Sequence, residues 1–203
     1  PGNLKVVGST LFFTATTAAN GVELWKSDGT AIGTVLVKDI FSGSTSSSIS
    51  GLTEVGGTLF FAANDGVNGT ELWKSDGTTA GTVMVANISS GSGSSSPTNL
   101  INVGGTLFFS AFEGTNGREL WKSDGTPAGT TLVLNIYPGS SSSTPNAFFN
   151  WSGTLYFQAT TATGGVELWK SDGTAGGTVM GKGIFSGAGG SPPANFAVLR
   201  RAP

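Results

Sequence analysis

The sequence predicts an all-β fold, a β-propeller-type array of four-stranded antiparallel blades, and three observations predict it. The octapeptide ELWKSDGT stands unchanged at 23–30, 71–78, 119–126 and 167–174, a period of 48 residues. Each period holds four short apolar runs separated by Gly, Asn, Asp and Ser, the pattern of strands joined by turns. The runs are apolar on both faces, whereas a strand with one side in water alternates. A period of about 40–50 residues carrying four strands marks a propeller blade, which has a neighbour on each side.

The first run, NLKVVG (3–8), returns as LTEVGG (52–57), LINVGG (100–105) and, less regularly, AFFNWSG (147–153). The second, STLFFTA (9–15), returns as GTLFFAA (57–63), GTLFFSA (105–111) and GTLYFQA (153–159). Leu11 and Phe13 point to one side and Phe12 to the other, so both faces need cover. The third run is the octapeptide strand, with Leu24 and Lys26 on one face and Glu23, Trp25 and Ser27 on the other. The fourth, GTVLVKDI (33–40), returns as GTVMVANI (81–88), GTTLVLNI (129–136) and GTVMGKGI (177–184).

Connection lengths set the order. A tight turn joins the first and second strands, SDGTxxGT is a hairpin between the third and fourth, and some nine residues separate the second from the third. Only the Ser-rich link, FSGSTSSSISG (41–51) and its copies at 89–99, 137–147 and 185–195, is long enough to cross between blades. The first strand is therefore expected innermost and the fourth outermost. The links and second-to-third loops share one face of the disc, and the tight turns occupy the other. The repeats run over 3–50, 51–98, 99–146 and 147–194 of a single repeat domain. NFAVL (195–199) is a fifth copy of the first strand, four periods after NLKVV (3–7), followed by a short tail. A spare strand is expected to complete a blade or to mark part of a longer array or of an oligomeric ring.

Composition narrows the function. Charged residues make up 11% of the 203, against roughly 25% in an average soluble domain. Five Trp and thirteen Phe nevertheless imply a packed core. A formal net charge of -2 offers no basic field for phosphate, so nucleic acid is excluded as an expected partner. With no Cys and no His, thiol nucleophiles, imidazole bases and the usual zinc ligand sets are missing from the chain. No run approaches the roughly 18 apolar residues of a membrane-spanning helix. Pro1-Gly2-Asn3 does not have the form of a signal peptide, so a mature protein or a piece of a longer one is expected.

Two uses compete for the octapeptide. As a joint, Asp28, Asp76, Asp124 and Asp172 accept hydrogen bonds from the backbone two residues on, the following Gly supplies a positive φ, and the Thr hydroxyls satisfy the turn. Trp25, Trp73, Trp121 and Trp169 supply buried area, and Glu23, Glu71, Glu119 and Glu167 pair with a Lys of the same or the next blade. As a site, Glu23 with Asp28 supplies calcium ligands or a carboxylate pair for glycoside hydrolysis. Four identical catalytic pairs in one chain are not expected, so the joint is preferred and no cofactor is assigned, with calcium the alternative.

The octapeptide with Gly-Thr three residues beyond it resembles the ELWxxDGT repeat of large bacterial secreted or surface proteins, and all four copies fit. The resemblance covers nearly the whole chain. It implies a propeller-like, extracellular or cell-surface bacterial repeat protein, and it implies no activity.

Candidate binding residues lie where the copies differ. The second-to-third loops read TTAANGV (16–22), NDGVNGT (64–70), EGTNGR (113–118) and TTATGGV (160–166). They single out Asp65, Asn68, Glu113, Asn116 and Arg118, because loops on a rigid frame carry recognition; tolerant solvent-facing turns are the alternative. Trp151, the one Trp outside the motif, is a sugar-stacking ring or a core filler against Phe148 or Phe149. The Ser-rich links read as connectors. The expected function is a non-enzymatic extracellular module that recognises glycan or a surface protein. A structural or assembly repeat of a longer surface protein is the rival, and a glycoside hydrolase is disfavoured.

Overall fold

The computed structural model describes residues 1–181, 190, 192 and 193. Every element among them is a strand. The first blade is β1 (Gly2–Val7), β2 (Thr10–Thr17), β3 (Gly21–Ser27) and β4 (Val35–Lys38). The second is β5 (Ser50–Val55), β6 (Thr58–Asn64), β7 (Thr70–Ser75) and β8 (Val83–Ala86). The third is β9 (Thr98–Val103), β10 (Thr106–Glu113), β11 (Gly117–Ser123) and β12 (Thr131–Leu134). The fourth is β13 (Asn146–Trp151), β14 (Thr154–Thr161), β15 (Gly165–Ser171) and β16 (Val179–Met180). Each sheet is an antiparallel meander in sequence order, and the four form the predicted propeller-type array. The end of the fourth run and the whole fifth copy at 195–199 fall outside the described residues.

The first strand of each blade is innermost: β1 packs on β5, β5 on β9 and β9 on β13. The apolar pattern on both faces is resolved by three cores, each between adjacent blades. Phe12, Leu24 and Val37 of the first blade meet Leu59, Phe61, Ala63 and Trp73 of the second. Phe60, Leu72 and Val85 of the second meet Leu107, Phe109 and Ala111 of the third. Phe108, Leu120 and Val133 of the third meet Leu155, Phe157, Ala159 and Trp169 of the fourth. Each of the first three blades thus offers a leading face, carrying Phe12 and Leu24 or their equivalents, to the trailing face of the next.

Two expectations change. The nine-residue gap between second and third strands closes to a tip of residues 18–20 in the first blade, because Thr16 pairs with Val22 and Thr17 with Gly21. Thr is at home in a strand, so the ladder runs on into a segment that its polarity marks as loop. The Ser-rich links are anchored segments rather than loose connectors: Ser47, Ser95 and Ser143 are fully buried. In the first link Ser47 N donates to Val22 O at 3.2 Å and Ser47 O accepts from Asn64 N at 2.8 Å, which ties one blade to the next.

Candidate functional site

The octapeptide builds a turn at each hairpin between third and fourth strands. Asp28 Oδ1 accepts from Thr30 N at 2.9 Å and from Thr30 Oγ1 at 2.7 Å. Thr30 Oγ1 in turn accepts from Gly33 N at 2.9 Å, and Thr34 Oγ1 donates to Thr30 O at 2.7 Å. Gly29 sits at φ 93°, a region that side chains disfavour. The same bonds recur at Asp76, Asp124 and Asp172. The Thr hydroxyl, with the Thr backbone N–H, holds each of these carboxyls below the usual aspartate range.

The octapeptide glutamates do a different job from the one their sequence position suggests. Glu23, Glu71, Glu119 and Glu167 are fully buried, and the expected pairing with Lys is replaced in the first three by bonds to the interblade link. Glu71 Oε2 accepts from Ile88 N at 3.0 Å and Ser95 Oγ at 2.6 Å, while Oε1 accepts from Ser95 N at 2.9 Å. Glu23 takes Ile40 N and Ser47 N, and Glu119 takes Ile136 N and Ser143 N. Burial pushes these three carboxyls above the usual range, with the donated bonds opposing it. One side chain therefore grips the chain where it leaves the blade and again where it turns into the next.

The candidate residues of the hairpin tips are engaged within their own frame. Asp65 Oδ1 accepts from Val67 N and Asn68 N, and its Oδ2 from Asn68 Nδ2 at 2.7 Å. Glu113 does the same for Thr115 N and Asn116 N, with Asn116 Nδ2 at 2.7 Å. Asn68 Oδ1 and Asn116 Oδ1 receive Asn87 Nδ2 and Asn135 Nδ2 from the exit of the fourth strand. Arg118 is half-buried and donates to Ser96 O, Ser110 O and Ser95 O. Trp151 is 51% exposed. Its ring packs 5.5 Å from Tyr156, while Phe148 packs on Phe157, so it is not a core filler within its own chain.

A different place gathers unlike groups from all four blades. Where the innermost strands converge, a cavity of about 740 Å3 is lined by Lys5, Glu54, Asn102 and Asn150, with Leu52, Leu100 and Ile101 between them. Asn102 Nδ2 donates to Glu54 O at 3.2 Å and Asn150 Nδ2 to Asn102 O at 3.1 Å, each reaching back one period. Gly104 and Gly105 of a tight turn also line it, so it opens at the end opposite the variable hairpins. Sequence reasoning passed over this mouth. Its signal was Glu54, Asn102 and Asn150 at one repeat position inside otherwise apolar runs.

Among the described residues no group of three or more His, Cys, Asp or Glu is placed to hold a metal ion. The carboxylates of the turns, of the first three link clamps and of the hairpin tips all accept hydrogen bonds from their own frame. The axial mouth presents an ammonium, two carboxamides and a carboxylate over an apolar floor, and its groups also serve the frame: Glu54 Oε1 accepts from Gly57 N at 2.7 Å, Asn102 Oδ1 from Gly105 N at 3.0 Å and Asn150 Oδ1 from Gly153 N at 3.2 Å.

No family model matches the sequence, and no curated protein matches it. Solved structures do. Puromycin hydrolase is 15% identical with a TM-score of 0.57, over 93% of this chain and 28% of that one. An acylaminoacyl peptidase of Pyrococcus horikoshii is 12% identical with a TM-score of 0.55, over 85% of this chain and 26% of that one. The computationally designed Ika8 protein is 15% identical with a TM-score of 0.50, over 97% of this chain and 52% of that one. The chain spans about a quarter of the two hydrolases and about half of the designed protein, and the likeness is one of fold.

Proposed function

We propose that the chain is a non-enzymatic binding module of an extracellular bacterial repeat protein of the ELWxxDGT kind, and that it takes a glycan at the axial mouth. The observation that carries this is the convergence of Lys5, Glu54, Asn102 and Asn150 around one cavity. Carboxamides and an ammonium over aliphatic side chains suit a ligand rich in hydroxyls, since each hydroxyl both donates and accepts. The variable hairpins, favoured by the sequence, are the rival site; the mouth is preferred because it brings side chains of all four blades, Lys5 among them, to one cavity. Two of the solved structures of like fold are named as a hydrolase and a peptidase. A non-enzymatic role is supported here by the lack of His and Cys in the sequence and by the structural employment of the carboxylates.

The test is a glycan array probed with the purified chain, followed by calorimetry on any hit. Binding that falls at least tenfold in Lys5→Ala and in Asn150→Ala, and persists in Asp65→Asn, supports the mouth. Binding lost in Asp65→Asn and kept in the axial pair returns the site to the hairpins. Silence across the array removes the glycan reading and leaves the structural repeat, whose evidence is the reuse of one interface between all blades.

A further inference from the structure

We infer that the outer faces of the first and fourth blades are two halves of one more interblade junction, and that their occupant is a second copy of this chain docked head to tail. The inference is independent of the axial ligand. Inside the chain the junction is built three times from the same parts. The Phe12 ring and the Lys26 side chain lie under Gly77, Phe60 and Lys74 under Gly125, and Phe108 and Lys122 under Gly173. Lys74 Nζ donates to Gly125 O and Lys122 Nζ to Gly173 O, both at 2.8 Å. Those glycines are buried, and the aspartates beside them, Asp76, Asp124 and Asp172, each feel a Lys of the preceding blade.

At the two ends the parts are present, and among the described residues they have no further blade against them. Gly29 of the first blade is exposed, and a Cβ added there meets no described atom within 4 Å. Leu4 is 65% exposed, although its counterparts Leu52, Leu100 and Phe148 pack into the interblade cores. Pro1, Leu4, Leu11 and Phe13 line an apolar groove of about 250 Å3 on this face. The fourth blade carries the matching set: Tyr156 and Lys170 stand at the positions of Phe12 and Lys26, and Lys170 is exposed. Trp151 stands where Val7, Val55 and Val103 pack into the cores, which gives its exposed ring an apolar destination. Docking puts the Tyr156 ring into the groove and the Lys170 ammonium on Gly29 O beside Asp28, a repetition of the bonds that Lys74 and Lys122 make to Gly125 O and Gly173 O.

A head-to-tail contact closes into a ring when its rotation allows. Light scattering on the purified chain across a wide concentration range is expected to give a multiple of 20.4 kDa. Leu4→Glu spoils only the head and Trp151→Glu only the tail. Both sites are exposed, so folding is expected to survive, and circular dichroism checks it. Each variant alone is expected at the single-chain mass. Their equimolar mixture is expected to regain twice that mass and no more, since the intact tail of one meets the intact head of the other and leaves two spoiled ends. A wild type that stays at 20.4 kDa throughout overturns the inference and leaves a further repeat of a longer chain as the occupant. An assembly broken by Leu4→Glu but untouched by Trp151→Glu also overturns it, because the contact is then head to head.

Discussion

Glu119 shows what a single buried side chain contributes to this frame. Its carboxylate accepts from Ile136 N, Tyr137 N, Ser143 N and Ser143 Oγ, and truncation leaves those donors buried without an acceptor. Each such loss costs about 1–3 kcal/mol, so Glu119→Ala is expected to lower stability by about 3 kcal/mol in urea unfolding, whereas a change under 1 kcal/mol would deny the clamp. Ala147 is a second case. It holds φ 53° where the other copies have Asn3, Gly51 and Asn99, and a Cβ in that region costs about 1–2 kcal/mol. Ala147→Gly is therefore expected to raise stability by about 1 kcal/mol, read as a shifted urea midpoint at constant slope. The Asp28 turn was legible in the sequence because every partner lies within six residues. The Glu23 clamp was not, because its partners at 40 and 47 are distant and an adjacent Lys offered an easier match. Asp65 and Glu113 misled through their variation: a shorter and a longer carboxylate cap tips of different length, so the letters differ while the task is shared.

At the scale of an element, the hairpin turn has an internal experiment built into it. Gly29 and Gly173 share a positive φ, 93° and 89°, and differ in what lies beside them. A Cβ at Gly173 would stand 3.0 Å from the Phe108 ring, whereas at Gly29 nothing described lies within 4 Å. Both Gly29→Ala and Gly173→Ala lose the backbone freedom of glycine, and Gly173→Ala adds overpacking worth about 1–3 kcal/mol. The difference between the two unfolding free energies in dilute solution isolates that packing, and equal losses would show that the Phe ring simply moves aside. The four runs per period were legible because burial on both faces leaves an apolar signature. Their lengths were less so, since Thr16 and Thr17 extend a ladder while looking like loop.

Across the whole molecule two families of carboxyl pull the pH dependence in opposite directions. The buried glutamates have raised pKa values, so their contribution is complete below the ordinary value of 4.5 and is lost as pH climbs through the folded one. The turn aspartates have lowered values; their contribution is complete above 3.8 and is lost as pH falls through the folded one. Stability is expected to peak in the mildly acidic range near and just above pH 4, and to decline toward neutrality less steeply in Glu71→Gln with Glu119→Gln. Thermal unfolding across pH 3 to 8 would show it, and a wild-type profile rising steadily to neutrality would refute it. The order of blades was legible from the period alone. Which faces end the array was not, since identical letters at 23–30 and 167–174 are buried or exposed by their neighbours rather than by themselves.

The glutamate clamp has a bearing on ancestry. Because one residue fixes both the departure and the arrival of the connecting segment, a duplication or loss of any stretch of 48 residues leaves every clamp, turn and glycine seat with its partner, wherever the breakpoints fall. A slip that falls between a carboxylate and its serine and is not a whole number of periods changes their spacing. Recombination between near-identical copies can therefore lengthen or shorten the gene in whole blades without passing through a misfolded product, and homologous chains are expected to differ in steps of that size.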